Sequence, residues 1–553
     1  MRRGRSRRRL SGISATAALI LALPHACAPP VWGAEEVLVE LDGMVLPLPL
    51  AELERLAPEA PGAALSAPMA PRSEMEAWLA LLDGRSRADV LHLLRAPLLK
   101  DRSLAQQMLR SWAGQQVIEQ LGDMIEVDDR PGGAAVVQTL QDLLERQPQV
   151  TALDLLRELP SDRVRIDVDA ILSLARRWRR ELKRQEALIT QLRRLPLAGA
   201  PPRSDRPEPT GPAGSPSAGP RAVELAVSHR RQPLPLEIWP ASGGAPRRQW
   251  VLLMPGLGSR PDHFRWLSGS LASRGWPVVV LQHPGSDDLA VRQMLLGERP
   301  PPGAEVLPTR LADLQAVLAA GTDGRLALPE GDLVLMGHSL GALTAFLAAG
   351  LEPEPGLPRR CERALEDLPL TNLSSLLQCE LDQVDLPLVQ PPPRLAAIVA
   401  FNSFGSLLWP RGGLAPLPVP VLLSGGTLDL ITPPLREQLA LLAPMHSRRS
   451  RAVLVEGGSH FSVIRVEGDG DGADLFQLGE ELVGVAPLAV QRALLSFTVD
   501  FLEVLPAAPS PGGGASGPAP EGRGLRPQRY RDPTVLAHVL GPAEARRVRR
   551  SLR

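Results

Sequence analysis

Between residues 221 and 505 the chain carries a series of short, mainly apolar runs separated by longer helical stretches, and no other feature restricts its fold as much. The runs are Trp250–Met254, Pro277–Leu281, Asp332–Met336, Ala396–Phe401, Val419–Leu423 and Ala452–Val455. A strand with one face in water alternates polar and apolar residues, whereas a strand covered on both faces has no need to. The series therefore predicts an α/β architecture, a mostly parallel sheet with helices on both faces. Two alternating segments, Ala222–Ser228 and Leu234–Trp239, precede it as an antiparallel hairpin and bring the expected count to eight strands. Pro487–Val504 closes the series as a helix whose proline falls in the first turn, where a missing N–H does no harm.

The remaining length needs other units, because 553 residues exceed one ordinary domain. Residues 1–34 read as a signal peptide: six Arg between Arg2 and Arg9, an apolar stretch Leu10–Leu23, then small residues near Gly33 and Ala34. Ser6-Arg7-Arg8-Arg9-Leu10 also fits a twin-arginine leader. Residues 35–197 are expected to form a small, mainly helical domain, with helices over Ala134–Gln147, Ala152–Leu159 and Ala170–Arg194 and capping patterns at Ser73 and Ser103. Residues 198–220 are a Pro/Gly/Ser-rich linker, 221–505 the α/β domain with an insertion over 352–394, and 506–553 a flexible basic tail.

Charge and cysteine usage narrow the partners. With 61 Lys+Arg against 61 Asp+Glu, a globally basic nucleic-acid binder is excluded. Lys occurs only at 100 and 183, a bias of coding rather than a demand for guanidinium groups. The helix Ala170–Arg194 carries Arg176, Arg177, Arg179, Arg180, Lys183 and Arg184, interrupted by Glu181 and Glu186. It reads as a solvated face or, with the basic tail, as a peripheral membrane contact. Removal of the leader takes Cys27 and leaves Cys361 and Cys379, which in an exported chain are candidates for a disulfide, two free thiols being the alternative. Asp469-Gly470-Asp471-Gly472-Ala473-Asp474 lacks the ligand and glycine spacing of a calcium loop and reads as a turn. No metal or cofactor is expected.

The chemistry concentrates in Gly337-His338-Ser339-Leu340-Gly341. This G-x-S-x-G follows an apolar run and opens a helical stretch, the setting of a nucleophile elbow. In sheets with such an elbow the acid and then the base follow in chain order. Of nine histidines only His446, His460 and His538 come after Ser339, and His460 alone lies just beyond the last predicted strand. Asp429 is the one carboxylate in the turn after the preceding strand. The oxyanion hole needs two backbone N–H groups; Leu340 supplies one, and Leu257, in the loop Pro255-Gly256-Leu257-Gly258-Ser259, is the candidate for the other. His263, His283 and Asn402 are candidates for the pocket wall or for hydrogen-bonding loop positions.

Residues 221–505 resemble the α/β-hydrolase superfamily, in particular its predicted dienelactone-hydrolase and platelet-activating-factor-acetylhydrolase-like branch. The likeness rests on Pro255–Ser259, Gln282-His283-Pro284-Gly285-Ser286, Gly337–Gly341 and Gly458-Ser459-His460-Phe461. The whole chain is similar to cyanobacterial hydrolases that join such a domain to an N-terminal helical domain of unknown function. Many relatives have His where Pro255 stands, and true dienelactone hydrolases use a Cys nucleophile where Ser339 stands, which favours ordinary carboxylester cleavage. The resemblance implies an α/β-hydrolase fold and a Ser-His-Asp mechanism through an acyl-enzyme.

Together these readings predict an exported serine hydrolase of the periplasm, a thylakoid lumen or the outside, acting on apolar or lipid-like esters beneath a Leu-rich cap. Thioesters, peptides or acyl transfer are alternatives on the same three residues, and a non-catalytic envelope interaction protein is the alternative of another class.

Overall fold

In the N-terminal unit, short strands in which charged and apolar residues alternate bury one face and leave the other in water. The computed structural model describes residues 33–57, 94–95, 97–99, 111–122, 124–147, 149–198, 219–242, 247–366, 369, 371–464, 487–506, 525–531 and 535–552. Nearly all of the predicted leader and linker, both predicted capping patterns and the turn at 469–474 lie outside the described residues. Strands β1 (Glu36–Leu41), β2 (Met44–Pro49), β4 (Ile125–Val127), β5 (Arg130–Pro131) and β7 (Arg163–Asp167) form a mixed sheet in the order β2-β1-β7-β4-β5. A separate pair joins β3 (Pro97–Leu99) to β6 (Val150–Thr151). Val37, Val127 and Val164 pack with Val136, Leu140 and Leu144 of the helix Gly133–Arg146 in one buried cluster. A capping box at Thr151 and Asp154 starts the next helix, Ala152–Glu158.

Among the described residues, helices that include Gly133–Arg146, Ala152–Glu158 and Val168–Leu192 stand beside this five-stranded sheet. The signal at Arg163-Val164-Arg165-Ile166-Asp167 is a clean alternation, but it spans only five residues and is held by parallel pairing with β1 and antiparallel pairing with β4, both distant in sequence.

All eight expected strands of the second unit are present. They are β8 (Arg221–Leu225), β9 (Leu234–Trp239), β10 (Gln249–Met254), β11 (Val278–Leu281), β12 (Asp332–His338), β13 (Leu395–Phe401), β14 (Val421–Gly426) and β15 (Arg451–Val455). Strands β10 to β15 run parallel and β8 and β9 antiparallel. The sheet nonetheless has ten strands rather than eight, in the order β16-β17-β15-β14-β13-β12-β10-β11-β9-β8. The two extra strands, β16 (Arg529–Arg531) and β17 (Leu536–Leu540), come from the segment expected to be a flexible tail. Without them β15 would present a row of unpaired backbone groups at the sheet edge. Strand β17 pairs antiparallel with β15 and buries Ala537, Val539 and Leu540, and the basic helix Pro542–Ser551 then folds back with Ala545 buried.

Two apolar layers cover this sheet. One gathers Leu252, Leu335, Phe346 and Ile398 on the face of the helices Leu307–Thr322 and Leu340–Ala348. The other gathers Val251, Phe264, Trp276, Val334 and Phe497. The long helix Val168–Leu192 leaves the N-terminal unit and buries Leu188 and Leu192 in the first layer. Arg193 beyond its end meets Glu456 at 2.7 Å, and Glu456 also accepts from His538 at 2.7 Å.

The insertion forms the helices Leu357–Leu365 and Ser374–Glu380, joined by a disulfide between Cys361 and Cys379 with Cα atoms 5.4 Å apart. The amides of Leu373 and Ser374 donate to the carbonyls of Leu430 and Ile431, which ties the insertion to the loop after β14. Among the described residues no helix is long and apolar enough to cross a membrane.

Candidate active site

Ser339 sits where β12 gives way to the helix Leu340–Ala348, with φ 51° and ψ −117°. A non-glycine residue in this region is strained, and it persists because the strand and the helix on either side over-determine it. The turn is too tight for side chains on its neighbours. A Cβ on Gly341 would lie 2.0 Å from the Met254 carbonyl oxygen, and one on Gly256 would lie 2.7 Å from His338 Nδ1 and 3.2 Å from Ser339 Cβ. The half-buried Ser339 is thus lifted to the carboxyl end of the sheet, against the loop that follows β10.

Asp429 and His460 arrive from two neighbouring strands on the same edge, Asp429 in the turn after β14 and His460 in the turn after β15. His460 Nδ1 stands 3.0 Å from Asp429 Oδ2. A carboxylate only accepts, so the proton lies on Nδ1 and leaves Nε2 as the basic nitrogen. Asp429 is held by more than the histidine. Its Oδ2 accepts from Asn402 Nδ2 at 2.8 Å and Thr432 Oγ1 at 2.6 Å, and its Oδ1 from the amides of Ile431 and Thr432 at 2.9 and 2.7 Å. Burial pushes this carboxyl group up, but the charge and hydrogen bond of His460, with the donors from Asn402 and Thr432, outweigh it and hold it at about 2.

The loop Pro255–Ser259 carries Leu257 and is braced from behind. The Gly258 amide donates to the Ser286 carbonyl at 2.9 Å. Arg310, 1% exposed, donates to the Pro255 carbonyl at 2.6 Å, to Ser286 Oγ at 2.8 Å and to Thr344 Oγ1 at 3.1 Å. One guanidinium thereby links the loop to the helix that starts at Leu340. As the first residue of its helix, Leu340 has an amide with no intrahelical acceptor.

The three candidate pocket residues prove to hold hydrogen bonds. Asn402, itself at φ 46°, positions Asp429 and also donates to the Ser459 carbonyl at 3.4 Å. His263 accepts from the Arg260 amide at 3.4 Å at the start of a short helix. His283 is buried with Nδ1 2.8 Å from Asp313 Oδ2, in a cluster where Asp313 also meets His229 at 2.7 Å and Arg230 at 2.5 Å. Burial, then the charge of Arg310, pulls His283 down to about 3, so it is neutral. Of the other two histidines after Ser339, His538 lies in β17 against Glu456, and His446 lies in the loop before β15.

Sequence reasoning did not assign roles to His338, Thr432 and Arg310. Nε2 of His338 donates to the His460 carbonyl at 3.1 Å, and the two rings stand 5.0 Å apart. Burial, then the charge of His460, lowers His338 to about 3, so it is neutral. Thr432, three residues after Asp429, carries a local turn signal. Arg310 and Asp313 carry another: charges spaced three apart on the buried face of the largely apolar helix Leu307–Thr322.

Residues 33–167 match a family model described as an alpha/beta hydrolase of unknown function (DUF1400). No curated protein matches the chain. The match covers the N-terminal unit, while Ser339, Asp429 and His460 all lie in the second. The description of that family names an α/β hydrolase, and the ten-stranded sheet of the second unit, with its parallel strands β10 to β15, is an α/β fold.

Proposed function

We propose that this chain is an exported serine hydrolase that cleaves carboxylic esters with apolar or lipid-like acyl groups. The observation that carries the reading is the Asp429–His460 pair at 3.0 Å, on strand ends beside an elbow whose Ser339 holds φ 51°. Ser339 Oγ attacks the ester carbonyl as His460 Nε2 takes its proton. The Leu257 and Leu340 amides receive the oxyanion, each worth about 10²–10³ in rate. His460 then protonates the leaving alcohol, and in the second half-reaction it draws a proton from water, which attacks the acyl-enzyme. Asp429 keeps the imidazole in the tautomer that leaves Nε2 free.

The preference for an apolar acyl group rests on the Leu-rich insertion, which is tied to the loop that carries Asp429, and export on the Cys361–Cys379 bridge, which is at home in an oxidising compartment. A fluorophosphonate probe tests the chemistry. Wild type is expected to label and Ser339→Ala to resist, with kcat on short esters falling on the order of 10⁴–10⁶-fold. A folded wild type that fails to label would show that the second unit is not a serine hydrolase. A series of ester and thioester substrates of rising acyl length then ranks the substrates.

A further inference from the structure

The basic helix Val168–Leu192 does not simply face solvent. It forms one wall of a cleft of 350 Å³ whose other walls are the disulfide-bonded insertion and the loops after β13 and β14. Arg177, Arg180 and Arg184 lie on one helical face at spacings of three and four, and Arg363 and Arg436 close the cleft from the opposite side. Against these five guanidinium groups stands, among the described residues, one carboxylate, Glu181. Arg436 grips it at 2.7 and 3.1 Å, and Arg184 shares it. Among the described residues Arg180 and Arg363 have no carboxylate partner.

A second cleft of 540 Å³ continues from the first and shares Arg184, Arg436 and Leu407 with it. Its apolar wall is made by Leu407, Trp409, Leu435, Ala440 and Leu552. None of Leu257, Ser339, Leu340, Asp429 or His460 lines either cleft.

We propose that the two clefts form one binding site for an amphiphile with a single anionic head, a carboxylate or a phosphate, separate from the elbow. Guanidinium groups bind oxyanions through paired N–H donors, and several of them surrounding one head cancel its charge. The apolar wall takes the first carbons of the chain, a contribution that an inorganic anion cannot make. On the esterase reading, a long-chain carboxylate is also the product released at Ser339, so the site would hold product on the molecule that makes it. Binding itself requires no chemistry at Ser339.

Titration calorimetry on the Ser339→Ala protein separates this site from the catalytic one. Dodecyl phosphate and dodecanoate, both below their micelle concentrations, are expected to bind saturably at one equivalent. Inorganic phosphate is expected to bind at least about tenfold more weakly. Arg180→Glu with Arg363→Glu, both at exposed positions, should weaken dodecyl phosphate by about tenfold or more while the melting temperature holds. Leu552→Ser, an uncharged change at the far end of the groove, should weaken the alkyl ligands and leave inorganic phosphate unchanged. Raising salt should weaken every ligand, because the guanidinium groups are open to solvent. The proposal falls if no amphiphile binds, if the charge reversals leave affinity intact, or if inorganic phosphate binds equally well. It also falls if only phosphatidylglycerol vesicles are captured, which would indicate a membrane surface instead.

Discussion

Asp429 accepts four hydrogen bonds besides that of its histidine partner's ring, and this environment has a consequence for stability. Its carboxyl group is at about 2 in the folded chain, below the ordinary aspartate value of about 3.9. In the unfolded chain it therefore takes up a proton first as pH falls. Its contribution, about 2–3 kcal/mol, is complete above that ordinary value and is lost as pH falls towards 2. Asp429→Asn should flatten the acid limb of the melting temperature between about pH 4 and pH 2. A kcat near pH 7 lowered on the order of 10³–10⁴-fold should accompany it, because Asn can present its NH₂ to His460 and favour the wrong tautomer. A variant with an unaltered acid limb would show that Asp429 is not the group that titrates. On the proposed serine-hydrolase mechanism Arg310 acts at a distance from the reacting atoms, through the Pro255 carbonyl and Thr344. Arg310→Lys keeps a charge but cannot reach both, so kcat should fall about tenfold with KM nearly unchanged, the signature of an oxyanion loop set loose. A change confined to melting temperature would assign Arg310 to the core alone.

At the scale of elements, the insertion is the piece most dependent on cross-links. The Cys361–Cys379 bridge joins positions 18 apart in sequence, which constrains the unfolded chain by about 3 kcal/mol. Cys361→Ser with Cys379→Ser, or reduction of wild type, should lower the melting temperature by about 5–10 °C. The buried Glu437 is a second cross-link. It accepts from the side chains of Asn372, Gln378 and Ser406 and from the amides of Gly405 and Ser406, tying the insertion to the segment after β13. Glu437→Leu leaves those donors without their acceptor and should cost at least about 3 kcal/mol, read by denaturant titration. The strands and closing helix of the second unit were legible in the sequence because each carries its own apolar pattern. The insertion was legible only as a length of chain, since its helices are short and its ties to the rest of the domain are distant in sequence, as Asn372 to Glu437 shows.

At the scale of the whole molecule, the chain closes on itself. The final strands cover the β15 edge, and Glu456 on that edge takes Arg193 from the end of the long helix and His538 from β17. The three segments come from the N-terminal unit, the sheet and the tail, so the tail is a structural member. Truncation after Leu505 should expose β15 and lower the melting temperature by more than about 5 °C, with concentration-dependent aggregation seen by light scattering. A truncated chain as stable and monodisperse as the full one would contradict this.

By itself the sequence determined the parallel sheet, the tight turn at Ser339 and, through chain order, the pairing of Asp429 with His460. Those follow from apolar runs, glycines and turn residues that act within a few positions of one another. Tertiary structure alone decided the tail's place in the sheet, the five-stranded N-terminal sheet, the turn of Asn402 towards Asp429, and the bracing of the Pro255 loop by Arg310. Each of these is a hydrogen bond or a strand pairing between segments that are distant in the chain. Such contacts leave no local pattern, because either partner alone reads as an ordinary polar residue or a short alternating run.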